Sequence, residues 1–75
     1  MNVYKEIERK QTILRGLYGG MMTMTEVKRE LGLASDTSVR EALRELEIPA
    51  SKIGRRKMYE TDLLAKRLVE VRGMV

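Results

Sequence analysis

With 75 residues, 43% apolar and 35% charged, the chain has room for one compact domain with a thin core, whose stability a partner or a second copy would raise. It contains no Cys and no His, and its carboxylates are scattered along helical segments, so neither a metal site nor a cofactor is expected, and the usual bases and thiol nucleophiles of an enzyme are missing. The net charge is +4, no apolar run is long enough to span a bilayer, and the opening MNVYKEIERK lacks the apolar stretch of a secretory signal, so the expected compartment is the cytoplasm, without membrane partners.

From Val3 to Tyr18 the residues Val3, Tyr4, Ile7, Leu14, Leu17 and Tyr18 recur on one face at helical spacing. They predict an amphipathic helix within residues 1–20, ending near Leu17 where Gly19 and Gly20 turn the chain. Lys10 and Gln11 interrupt the stripe, and Ile13 lies off it, available to a partner.

Thr23-Met24-Thr25-Glu26 has the spacing of a capping box and predicts a helix start. Met24, Val27 and Leu31 form its inner side, and Gly32 supplies the left-handed residue that ends it. After Leu33 and Ala34, Ser35 or Asp36 can cap a further helix from Thr37 to about Glu47, with Val39, Ala42, Leu43 and Leu46 inward. Two short helices joined through a glycine turn predict a helix-turn-helix over residues 22–47, its second helix the reader.

Pro49 is expected to close that helix. Ser51-Lys52-Ile53, then Gly54-Arg55-Arg56, then Lys57-Met58-Tyr59 reads as strand, tight turn, strand, a wing over residues 48–59. Ile53 with Met58 or Tyr59 would cover the core. The segment holds Lys52, Arg55, Arg56 and Lys57 and no acid, so it carries a charge equal to the excess of the whole chain. Thr61 is expected to cap a last helix over 61–72 with the stripe Leu64, Leu68 and Val71, stopped by Gly73. Leu63 and Val69 fall outside that stripe, a surplus that suggests contact with another protomer. Met24 and Met58 occupy expected core positions, whereas Met21, Met22 and Met74 have no assigned place. The expected fold is therefore mainly α with a small β-hairpin (α+β): a winged helix-turn-helix with an additional N-terminal helix and a C-terminal helix after the wing.

Residues 22 to 69 resemble the excisionase and AlpA-like group of MerR-related winged helix-turn-helix proteins. The likeness rests on the order of parts: the Thr-led helix from Thr23 to Leu31, the reader helix around Val39, Ile48-Pro49-Ala50, the strand into Ile53-Gly54-Arg55-Arg56, and the closing helix opened by Asp62-Leu63. That group usually begins at or near the capping Thr, whereas here some twenty residues precede it. Thr37 to Leu46 is also similar to the reader helix of GntR-type repressors, but the Ile-Pro-Ala into Gly-Arg-Arg stretch and the helix after it favour the first group. Both resemblances imply binding to double-stranded DNA, as a recombination directionality factor or a transcription regulator.

On the reader helix Thr37, Arg40, Glu41 and Arg44 point outward, with Ser38 at the flank. Arg suits guanine, Thr and Ser suit phosphate or thymine methyl, and Glu41 can accept from cytosine or orient an arginine. Lys52, Arg55, Arg56 and Lys57 suit phosphates or a narrow minor groove. The plainer alternatives are a solvated helix face held by intrahelical ion pairs and a solubilising turn. Other partners compatible with the sequence are a second copy, as a homodimer or a cooperative oligomer on DNA, and an integrase or transcription component docked on an apolar face with Ile13, Leu63 and Val69. RNA is disfavoured because no Phe or Trp and only three Tyr are available to stack unpaired bases.

Overall fold

The computed structural model describes residues 2–73. Four helices and one small antiparallel sheet follow in the order α1 (Val3–Tyr18), β1 (Met21–Thr23), α2 (Met24–Leu31), α3 (Asp36–Glu45), β2 (Ser51–Ile53), β3 (Arg56–Glu60) and α4 (Thr61–Gly73). The fold is thus α+β, mostly helical, with strand order β1-β3-β2.

Local signals fix the middle of the chain. The Thr23 hydroxyl accepts from the Glu26 N–H at 3.2 Å and the Glu26 carboxylate accepts from the Thr23 N–H at 2.9 Å, so two of the four orphan amides at the start of α2 are satisfied by the box. Gly32, at φ 67°, ends α2; its N–H bonds the Arg29 carbonyl and the Leu33 N–H bonds the Lys28 carbonyl, a Schellman pair. Ser35 caps α3.

The end of α3 departs from expectation. Pro49 does not stop the helix, which has already ended at Glu45. Glu47 turns the chain in the left-handed region at φ 56°, while its N–H bonds the Arg44 carbonyl and the Ile48 N–H bonds the Leu43 carbonyl. The second Schellman pair is sealed by Leu43 and Ile48, both buried. A left-handed conformation costs a residue with a Cβ roughly 1–2 kcal/mol, and the side chain returns little, being 78% exposed in its 3.7 Å ion pair with Arg67. Glu47→Gly is therefore expected to stabilise the fold by about 0.5–1 kcal/mol, read as a higher urea midpoint at unchanged slope; a lower midpoint would mean that the Arg67 pair outweighs the backbone strain.

Strand β1 was not expected. Its three residues pair with β3, Met22 facing Tyr59, and both side chains are buried. Met22 thereby becomes a core residue, whereas Met21, Met24 and Met58 are half-buried and Met74 lies outside the described residues. The β-hairpin forms as expected but with a two-residue turn, Ile53 opposite Arg56. Gly54 at φ 63° and Arg55 outside the left-handed region follow the type II′ pattern, which matches strand twist. Strand alternation then places Lys57 and Tyr59 on one face and Arg56 and Met58 on the other. Ile53 shares the face of Arg56, so it is 55% exposed instead of covering the core.

The core joins Met22, Val27, Val39, Leu43, Ile48, Tyr59 and Leu64. Helix α1 lies along α4, and Ile7, Leu14, Ala65 and Val69 are buried in addition. Val69 and Leu63 therefore do not form a free face: Val69 is 6% exposed and Leu63 packs against the core. Of the stripe expected on α1, only Ile7 and Leu14 are buried and Tyr18 half-buried, while Val3, Tyr4 and Leu17 face solvent; on α4, Val71 is 51% exposed. The two polar residues that interrupt the α1 stripe act as clamps. Lys10 meets Glu30 of α2 at 3.2 Å, and Gln11 donates to the Asp62 carbonyl at 3.2 Å. Tyr18 adds a hydrogen bond to Glu30 at 3.2 Å, and its phenol is held above the ordinary tyrosine range by burial and by that carboxylate.

Thr61 does not cap α4. It is fully buried, its hydroxyl has no partner among the described residues, and its N–H bonds the Gly20 carbonyl at 3.1 Å because β3 runs straight into the helix. Helix α4 extends through to Gly73.

Candidate nucleic-acid interface

Helix α3 turns Val39 and Leu43 into the core, one turn apart. That anchoring leaves Thr37, Arg40, Glu41 and Arg44 fully on the solvent side. Their spacing of three and four residues makes a stripe about 10 Å long on one helix face. Ser38 is half-buried and engaged locally: its N–H bonds Ser35 Oγ at 3.2 Å and its hydroxyl accepts from Ser35 Oγ at 2.9 Å. It steadies the first turn of the helix.

An ion pair ties the start of α3 to α2. Lys28 reaches across the turn to Asp36 at 2.8 Å, and this hydrogen bond and charge hold the Asp36 carboxyl below its ordinary range, with Arg40 adding in the same direction. Lys28 is a positioning residue that sequence reading did not find, because a pairing eight residues away across a turn leaves no periodic trace. Ser35 was legible as a cap.

The intrahelical ion pairs of the plainer alternative do not form on the face of α3 among the described residues. Among the described residues the salt bridges join Lys10, Arg15, Lys28 and Arg67 to Glu30, Asp62, Asp36, Glu47 and Glu70. Arg40, Arg44, Glu41 and Glu45 are in none of them. The face is exposed and open to an external ligand.

On the hairpin, Lys52 lies directly opposite Lys57 and Arg56 opposite Ile53, with Arg55 at the turn. All four cations are exposed and none has a carboxylate partner among the described residues. Like charges facing each other across two strands repel, so the hairpin carries electrostatic strain that an anion would relieve. It is held to the body through Tyr59, which shares the core with Val39 and Leu43 of α3. One packed core thus fixes both surfaces, although they belong to separate elements. Among the described residues no group of acidic side chains could hold a metal ion, and no helix is long and apolar enough to cross a membrane.

No family model, curated protein or solved structure matches the chain. The geometry of these two surfaces is therefore what bears on function.

Proposed function

We propose that the chain binds double-stranded DNA as a small winged helix-turn-helix protein, without enzymatic activity, serving either as an excisionase-like recombination directionality factor or as a transcription regulator. In this reading α2 and α3 are the helix-turn-helix, α3 enters the major groove, and the β2–β3 hairpin is the wing. The observation that carries it is the hairpin's four exposed cations, the Lys52–Lys57 pair on one face, Arg56 on the other and Arg55 at the turn, for which no carboxylate is provided among the described residues. A surface built only for solubility disperses charges of both signs; this hairpin carries a single sign along both strands and its turn, which suits a phosphate backbone.

The exposed stripe of α3 supplies what phosphates cannot, a means of telling sequences apart. Arg44 can donate two parallel hydrogen bonds to guanine O6 and N7, while Thr37, Arg40 and Glu41 offer donors and acceptors on either side. Ser38, tied to Ser35, presents its hydroxyl to a phosphate near the start of the helix. Arg44→Ala is expected to cost about 1–3 kcal/mol at a selected site and little on random duplex. The check is selection of binding sites from a random duplex pool, followed by fluorescence anisotropy of wild type and variant on the selected and a scrambled duplex. Equal losses on both would make Arg44 a phosphate contact, and failure to enrich any site would leave only non-specific binding.

A further inference from the structure

Two shallow grooves flank α4, and they are complementary in charge. The first, of about 230 Å³, lies where the end of α3 meets α4 and is lined by Glu45, Leu46, Glu47, Arg67, Glu70 and Val71. Three carboxylates and one cation surround the apolar pair Leu46 and Val71, the latter 51% exposed; Arg67 pairs with both Glu47 and Glu70, so the rim keeps a net negative charge with Glu45 uncommitted among the described residues. The second, of about 270 Å³, lies between α1 and α4 and is lined by Glu6, Arg9, Lys10, Ile13, Val69 and Arg72. Here three cations and one carboxylate surround Ile13, also 51% exposed, over buried Val69; Lys10 is held by Glu30, so Arg9 and Arg72 are the cations left to a second copy. In a chain with a net charge of +4, an acid-rimmed apolar groove stands out, and the second groove provides its match.

At about 100° per residue, Arg67, Glu70 and Val71 project from α4 roughly opposite to Val69 and Arg72. The two grooves therefore open on opposite flanks of the molecule. The geometry points to a head-to-tail contact between copies of this chain, with the acid-rimmed groove of one copy seated on the base-rimmed groove of the next and Val71 meeting Ile13. Such a contact is heterologous: each copy that uses one groove leaves the other open, so association continues beyond two. It uses none of the residues assigned to DNA, and it holds whether or not the DNA reading does. Because charged rims supply part of the attraction, added salt weakens it.

Sedimentation velocity of the protein without DNA tests this. Wild type is expected to grow past the dimer as concentration rises at low salt and to return toward monomer at high salt. Two double variants break one groove each: Glu45→Lys with Val71→Lys, and Arg9→Glu with Ile13→Glu. Each alone is expected to be monomeric. Mixed in equal amounts, they are expected to form a one-to-one dimer and nothing larger, because each retains the groove that the other lacks. A wild type that stays monomeric, a wild type that stops at a dimer, or a mixture that stays monomeric overturns the proposal. Should a double variant lose its helical circular dichroism, the single exchanges Glu45→Lys and Arg9→Glu, both at exposed positions, make the same comparison.

Discussion

Truncating Leu43 to alanine is expected to remove about 2–5 kcal/mol of stability, the usual cost of a leucine-sized cavity in a packed core. The side chain is 4% exposed and belongs to the cluster that joins α2, α3, the sheet and α4. It also seals the end of α3 against Ile48, so the loss falls on the turn at Glu47 as well as on the core. A domain of this length is stable by roughly 4 to 11 kcal/mol, which makes the expected loss comparable with the whole. Thermal melting would show a midpoint lowered by about 8 °C or more, at about 4–8 °C per kcal/mol for a domain of this size, or no cooperative transition. An unchanged midpoint would remove Leu43 from the core and with it the orientation of Arg40 and Arg44.

Replacing Arg55 and Arg56 together with alanine is expected to leave the fold intact and to weaken binding to every duplex. Both side chains are exposed and paired with no carboxylate in the described protein, so their removal leaves the interior of the domain as it was. Gly54, which sets the turn, is untouched. Every phosphate that is no longer neutralised should flatten the slope of log affinity against log salt by roughly 0.9, so the double variant should lie up to about two units shallower than wild type. Selected and scrambled duplexes should be affected alike, in contrast to Arg44→Ala. If the double variant keeps the affinity and salt slope of the parent while Arg44→Ala does not, the hairpin is no wing, and recognition rests on α3 alone.

The part of the fold set by short-range chemistry was legible in the sequence. Thr23 and Glu26 announce α2, Gly32 ends it and Ser35 starts α3, because each acts on backbone groups within a few residues. The hairpin was legible for the same reason, with Gly54 at its turn. What escaped depends on partners distant in the chain. Strand β1 exists because Tyr59 and its neighbours offer an open edge to Met21–Thr23, and three residues after two glycines give no alternation to read. Val69 looked surplus on α4 because its partner helix lies more than fifty residues earlier. Lys10 and Gln11 looked like gaps in the α1 stripe, yet the positions they fill face Glu30 and the Asp62 carbonyl. Glu47 was hidden by Pro49, the stronger punctuator in sequence, although the turn is completed before the proline. For the candidate site, the sequence named the outward residues of α3 and the cations of the hairpin, all of which are solvent-facing or, for Ser38, half-buried. That Arg40, Glu41, Arg44 and Glu45 enter no ion pair among the described residues, and that Lys52 and Lys57 stand directly opposite, depends on three-dimensional placement that spacing does not reveal.

The central claim, that α3 and the hairpin together form the DNA-binding surface, is tested most directly by titrating isotope-labelled protein with a short duplex and following backbone amide resonances. Shifts are predicted to concentrate at residues 35–44 and 52–57, shared by both segments at the same duplex concentration, with little change along the outer faces of α1 and α4. Absence of shifts at low salt, or shifts confined to the α1–α4 surface, would contradict it.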